Sequence, residues 1–212
     1  MGIPSSNLPI PDSRGKSAVR IHVFGHSTAD PEGIAREFGG TTNPADPSDC
    51  DLAIFVINPS TGVDPESIAQ WEALNDAMVP RLIVVTGLEN QEADFDDAVM
   101  LANRVFDLTV TPYLVLHDAA GIACALISLE EMTILDYSTF PPQILPSEPE
   151  HHTLVEEFRS EYMAALDVMG KDGFAAGVMF PAIPVWLEKS IGIDIVASYI
   201  NSLSAWKVDE PL

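Results

Sequence analysis

Four short stretches bring together side chains that could do chemistry. Gly25-His26-Ser27-Thr28-Ala29-Asp30 places imidazole, hydroxyl and carboxylate within six positions, with His22 just upstream. A hydrolase would need the base within reach of the hydroxyl and an acid to orient the base. Ser27 and Asp30 are candidates, but the plainer reading is a strand end followed by helix-capping residues. His151 and His152, with Glu156 one helical turn on, form a conceivable metal pair. The plainer reading is a solvated helix start after a proline loop. Asp49-Cys50-Asp51 offers a thiol, yet flanking carboxylates raise a thiol pKa and disfavour reactivity. A buried cysteine at a strand edge is expected there. The acids of residues 92–97, EADFDD, suit a helix N-terminus, where the macrodipole favours negative charge, better than a cation site. No metal site is expected, and Trp71 and Trp186 are expected to serve packing.

The elements that must position these groups follow from periodicity. VRIHVFG (19–25) is a short strand ending at Gly25, and HSTADPEGIAREFGG leads into a helix from about Pro31, stopped by Gly39-Gly40. DLAIFVI (51–57) is a continuous apolar strand of the kind buried on both faces. A helix from Pro65 carries Ile68, Trp71, Leu74 and Met78 on one face. RLIVV (81–85) is the next strand, and ENQEADFDDAVMLANRVF an amphipathic helix. This alternation predicts a mainly parallel sheet covered by helices. The rhythm then changes. TPYLVLHDAAGIACALISLEEMTILDY reads as consecutive strands turning around Asp118 and Gly121, followed by a proline-rich connection and a long amphipathic helix ending at Gly170. An α+β insert over about 109–175 is expected, then a last strand near 176–180 and a last helix. Residues 1–18, rich in Pro and Ser, read as a flexible leader to a domain spanning 19–212. The Met-Gly-x-x-x-Ser start only touches a myristoylation pattern.

Charge excludes some partners. Lys+Arg number 10 against 32 Asp+Glu, a formal net charge of −22, which repels phosphate backbones and anionic membrane faces. Nucleic acid and membrane are therefore not expected as partners. The same acidity also serves solubility or a salty cytoplasm. Two cysteines fix no disulfide framework. With no apolar run of membrane-spanning length and no signal-peptide pattern, a cytoplasmic protein is expected.

One segment carries a resemblance. In CDLAIFVINPSTGVDPESIAQWEALNDAMVPRLIVVTGLENQEADFDDAV, an apolar strand is followed by Gly62-Val63, Trp71, Val79-Pro80-Arg81 and Ala93-Asp94-Phe95. In order and spacing this resembles the nucleotide-binding domain of elongation factor G and its ribosomal-protection relatives. GIACALISLEEMTILDY and PSEPEHHTLVEEFRSEYMAAL are similar to that family's insert and following helix. IGIDIVASYI resembles its C-terminal segment, shortened by roughly one helical turn. The resemblance runs from about Val19 to about Asn201. It implies a three-layer, P-loop-NTPase-like (Rossmann-like) α/β fold.

The nucleotide motifs of that family are degenerate here. A phosphate loop needs G-x-x-x-x-G-K-[ST], with backbone N–H groups and a lysine around the phosphates and a hydroxyl on magnesium. Gly25 and His26 fit its start, but Asp30, Pro31 and Glu32 stand in place of Gly, Lys and Thr. Pro31 lacks a donor. A carboxylate about 4 Å from a phosphate charge is repelled by roughly 4 kcal/mol at an effective dielectric of about 20. The switch segment and the Asp-x-x-Gly magnesium turn are missing. At the base-reading position Thr86, Gly87 and Glu89 replace Asn, Lys and Asp, and the Ser-Ala element falls near Pro181 and Ala182. The expectation is a non-catalytic pseudo-GTPase that binds an unknown protein partner, without nucleotide or other cofactor. The alternative is a GTP/GDP-binding protein or GTPase of the translation-factor class with an atypical pocket. A third reading, an enzyme reusing the crevice at the strand ends, has no convincing residues behind it.

Overall fold

The computed structural model describes residues 18–89, 94–139 and 141–209, with side chains up to Leu203. Of the expected leader only Ala18 is included. Ala93 and the first residues of the helix expected from Glu89 also lie outside the described residues.

Five crossovers and one insert organise the chain. The main sheet has the order β2-β1-β3-β4-β10-β5, and every pairing in it is parallel. Its strands are β1 (Ile21–Gly25), β2 (Thr41–Thr42), β3 (Leu52–Ile57), β4 (Arg81–Val85), β5 (Thr109–Val110) and β10 (Phe180–Pro184). β3 and β4 are buried at every position, as their unbroken apolar runs require of strands covered on both faces. They are parallel neighbours, paired from Ala53↔Arg81 to Ile57↔Val85.

Helix boundaries follow the local chemistry. α1 (Pro31–Phe38) starts on an Asp30 cap with proline at its first position, and it stops where Gly39 adopts φ 70°. α2 (Pro65–Ala73) starts the same way on Asp64. α3 (Phe95–Val105) has a reciprocal cap between Asp94 and Asp97. α2 is shorter than its apolar spacing predicts. It ends at Leu74, the chain turns through Met78 at φ 50°, and the Met78 side chain is exposed. Trp71 and Leu74 are the residues of that face that reach the core.

Trp71 anchors the helix layer. Its ring stacks on Phe106 at 4.3 Å and meets Phe55 and Phe180 edge-on, and its Nε1 donates to Asp107 at 2.9 Å. Arg81, also buried, packs against both the Trp71 and Phe180 rings, 4.5 and 4.2 Å from their centroids. It donates to the Trp71 carbonyl and to Asn75 Oδ1. The Trp and Val-Pro-Arg positions are thus one structural unit, an arginine packed on an aromatic cluster.

The second sheet, β6-β7-β8-β9, is antiparallel throughout. Its strands are β6 (Tyr113–His117), β7 (Ala123–Ser128), β8 (Thr133–Asp136) and β9 (Gln143–Pro146). The turn between the first two is closed by Asp118, whose Oδ1 accepts from the N–H groups of Ala120 and Ile122. α4 (Pro149–Met169) follows, and α5 (Ile193–Asp209) closes the fold. Tyr137 of the insert donates to Asp194 of α5 at 2.7 Å.

The last strand lies later than its expected place near 176–180. Residues 171–177 form turns, and the N–H groups of Val178 and Met179 both donate to the Gly173 carbonyl, so extension begins only at Phe180. Pro181 and Ala182 are consequently inside β10. The residues leaving that strand are Val185 and Trp186. Among the described residues, no helix is long and apolar enough to cross a membrane.

Candidate functional site

The C-terminal ends of parallel strands are where open α/β sheets hold ligands. Here β1, β3 and β4 end in three turns that are stitched to one another. The turn after β1 is a single 3-10 turn, Ser27–Ala29, between Gly25 and α1. Gly25 has to be glycine. It takes φ 155°, and a Cβ there would stand 2.6 Å from the Val56 carbonyl oxygen.

The backbone donors of Thr28, Ala29 and Asp30 are spent within this turn. The N–H groups of Ala29 and Asp30 go to the carbonyls of His26 and Ser27, at 2.9 and 3.3 Å. That of Thr28 goes to His26 Nδ1 at 3.3 Å. Asp30 sits in the left-handed region, φ 59° and ψ 52°, and its Oδ1 accepts from Gly33 N–H at 3.0 Å. Ile34 N–H goes to the Asp30 carbonyl, and Pro31 has none to give. The N–H groups of Thr28, Ala29, Asp30 and Gly33 are therefore engaged by the loop itself and by a carboxylate, and are not turned toward a phosphate. Gly33 is part of the same device, since a Cβ there would stand 2.0 Å from Asp30 Oδ2.

The loop's carbonyls are tied to the neighbouring turns. Thr86, leaving β4, donates its hydroxyl to the Ala29 carbonyl at 2.9 Å. Asn58, leaving β3, donates Nδ2 to the Thr28 carbonyl at 3.4 Å. Thr28 Oγ1 donates to Thr61 Oγ1 at 2.8 Å. Gly87, at φ 81°, allows the Asn58 side chain to pass; a Cβ would meet it at 2.8 Å. Leu88 is buried and Glu89 exposed.

Beside this knot is a cleft of about 670 Å³. Gly25, His26, Pro31 and Glu32 line one wall, and Asp64 to Ser67 from the start of α2 line another. Its lining includes Glu32, Asp64 and Glu66 and no lysine or arginine. Burial pushes the Asp64 carboxyl up, but hydrogen bonds from the Ser67 N–H at 2.9 Å and hydroxyl at 2.7 Å outweigh it and leave the pKa below the ordinary value. The cleft therefore presents a stable anion to any ligand.

The other candidates resolve into structure. His26 is engaged by Thr28 rather than by Ser27, and His22 Nδ1 bonds the Pro47 carbonyl at 3.1 Å, so no relay assembles around Ser27. Asp49 and Asp51 flank Cys50 but pair with Arg20. Burial first, then the charge of Asp51, pushes the Cys50 thiol up to about 11, and its Sγ donates to the Pro47 carbonyl. His151 Nδ1 accepts from Glu148 N–H and His152 Nε2 stands 2.8 Å from Ser147 Oγ, both at the start of α4. Among the described residues, no group of three or more His, Cys, Asp or Glu could hold a metal ion.

No protein-family model matches the chain. Two curated proteins named "Elongation factor G-like protein", from two strains of Mycobacterium tuberculosis, are each 26% identical over 166 residues, covering 67% of this chain and 22% of their own length. The chain thus spans about a fifth of these relatives. A crystal structure of a protein from Thermus thermophilus superposes with a TM-score of 0.61 at 19% identity, over 75% of this chain and 27% of that one. That likeness establishes the fold. Taken together, the chain resembles the nucleotide-binding domain of elongation factor G, with a P-loop-NTPase-like sheet and an antiparallel insert.

Proposed function

We propose that this chain is a pseudo-GTPase: a G-domain frame that no longer takes a nucleotide and acts as a protein-interaction or regulatory module. The observation that carries the reading is the Asp30 carboxylate on Gly33 N–H, in a turn where the N–H groups of Thr28, Ala29 and Asp30 are already used. A phosphate arriving there meets a carboxylate in the place of its own oxygens. It finds no lysine to neutralise it, and Glu32, Asp64 and Glu66 surround the approach. The base-reading turn supports the same conclusion. Thr86 is committed to the Ala29 carbonyl and Gly87 to the passage of Asn58, while Glu89 points to a surface position.

Without a triphosphate there is no reaction for this site to perform, so its value to a partner lies in a fixed surface. The net charge of −22 suits a partner with a basic face and disfavours RNA. Isothermal titration with GTP, GDP and ATP, each with magnesium, tests the reading. No heat of binding is expected. Micromolar affinity for a guanine nucleotide would replace it with a GTP-binding protein of atypical pocket.

A further inference from the structure

A second cavity has no counterpart in the nucleotide question. It is a groove of about 620 Å³ where the start of the insert, α4 and α5 meet. Three tyrosines enter it from three different elements: Tyr113 from β6, Tyr162 from α4 and Tyr199 from α5. Tyr162 is only 6% exposed. Its hydroxyl has no hydrogen-bond partner among the described residues, yet it is not among the polar atoms sealed from solvent, so it opens on the groove. Phe174 meets the Tyr199 ring edge-on at 4.8 Å and adds a fourth aromatic wall. Met163, Leu166 and Met179 supply apolar floor.

The rim is acidic. Glu130, Asp167 and Asp172 face a single cation, Lys171. Burial first raises all three phenols, those of Tyr113 and Tyr162 to about 12 and that of Tyr199 well above the ordinary value; the charge of Glu131 comes next for Tyr113, that of Glu130 for Tyr162, and for Tyr199 the neighbouring Tyr162 and Tyr113. The phenols are therefore neutral at physiological pH, in a field that already disfavours further negative charge. An anion is repelled from such a place, and a neutral apolar ligand leaves the carboxylates unanswered. Electron-rich rings, an apolar floor and a carboxylate rim together match an ammonium group carried on an apolar stem.

We propose that this groove binds an organic cation, an alkylated or quaternary ammonium, with Tyr113, Tyr162 and Tyr199 as its aromatic walls and Glu130 and Asp167 as its counter-charge. The proposal is independent of whether the chain takes a nucleotide.

The test is a titration of the whole chain, followed by heat or by NMR, with three probes. The first is choline. The second is its neutral carbon isostere, with a tert-butyl group in place of the trimethylammonium. The third is a short peptide carrying trimethyllysine. Choline is expected to saturate the groove, and the neutral isostere to bind at least about tenfold more weakly. Tighter binding of the peptide would identify the source as a lysine side chain of a partner; tighter binding of choline would identify a free amine. Either supports the site. Glu130→Gln with Asp167→Asn, both at exposed positions, is expected to weaken choline about fivefold with the fold intact by circular dichroism. Tyr162→Phe, which keeps the ring, should weaken it less. Equal binding of choline and its isostere, no saturable binding by any of the three probes, or an unchanged affinity in the double variant would overturn the proposal.

Discussion

Thr86 and Ala29 lie 57 residues apart in sequence, and the hydroxyl of one donates to the carbonyl of the other at 2.9 Å. This bond fastens the turn after β1 to the turn after β4. It uses a threonine at the position where the resemblance implies a base-reading asparagine. The locus to which the resemblance assigns base reading thus also ties the turn after β4 to the turn after β1.

Thr86→Val keeps the shape and removes the donor. The Ala29 carbonyl then loses its side-chain partner, and a destabilisation of about 1–2 kcal/mol is expected. Urea denaturation measures it. A midpoint unchanged at constant slope would mean that the bond holds nothing.

Asp30 combines two opposed effects. Its carboxylate caps α1, while its φ of 59° is costly for a residue with a Cβ. Asp30→Ala loses the cap and keeps the backbone cost, so about 1–2 kcal/mol of stability should go. Asp30→Gly loses the cap but removes the cost, and its stability should fall within about 0.5 kcal/mol of the parent. Equal losses in the two variants would show that the left-handed backbone carries no penalty here.

Arg81 tests the packing of a cation on the aromatic cluster. Arg81→Lys replaces a planar guanidinium packed on the Trp71 and Phe180 rings with a compact ammonium of shorter reach, which gives up the stacking and strains the bonds that Nη1 makes to Trp71 O and Asn75 Oδ1. A loss of about 2–4 kcal/mol is expected, with Trp71 fluorescence shifted in the native state. Arg81→Met removes the buried charge altogether and should cost less than the lysine variant. The opposite order in chemical denaturation would mean that the positive charge itself, and not only the shape of the guanidinium, holds this position.

Much of this architecture can be read from the chain. The apolar runs at 51–57 and 81–85 lie where parallel neighbours were expected, and Pro31 with Gly39 brackets a helix of the expected shortness. The hairpin about Asp118 and Gly121 follows from turn chemistry. What escapes the sequence depends on tertiary approach. The hydrophobic spacing of Met78 continues a helix that Leu74 has already ended. The start of β10 depends on Gly173 claiming two amides beyond it. At the site, the letters Asp30, Pro31 and Glu32 show where a carboxylate cap and a donorless proline enter the loop. The ties from Thr86, Asn58 and Thr61 do not show in the letters, because each joins residues about 30 or more apart. The tyrosine groove has the same character: Tyr113, Tyr162 and Tyr199 share no local pattern, and only the docking of α4 and α5 on the insert brings them together.

Cys50 gives the pH dependence. Its pKa in the folded chain is raised from 9.0 to about 11 by burial first and by Asp51 second. A group with a raised folded pKa contributes stability that is full below its unfolded pKa and is lost as pH rises through the folded value. Stability should therefore hold below about pH 9 and fall between 9 and 11. Cys50→Ala should flatten that part of the profile, and the native thiol should react slowly with a disulfide reagent at neutral pH. A parallel decline in the alanine variant would assign the loss to other groups.

Restoring the loop letters separates phosphate affinity from catalysis. Asp30→Gly frees Gly33 N–H and keeps the left-handed turn, Pro31→Lys adds the cation, and Glu32→Thr replaces an acid of the cleft wall with a hydroxyl. The local charge changes by three units in favour of phosphate. Thr86 still holds the Ala29 carbonyl and Asp64 and Glu66 still face the cleft, so the gain should be partial. The triple variant is expected to acquire weak magnesium-dependent affinity for GTP and ATP alike, because nothing at Thr86, Gly87 or Glu89 has been changed to read a base. It should show no hydrolysis above the buffer rate. A preference of tenfold or more for GTP, about 1.4 kcal/mol, would mean that the turn after β4 still recognises guanine and that the frame has lost its phosphate grip alone.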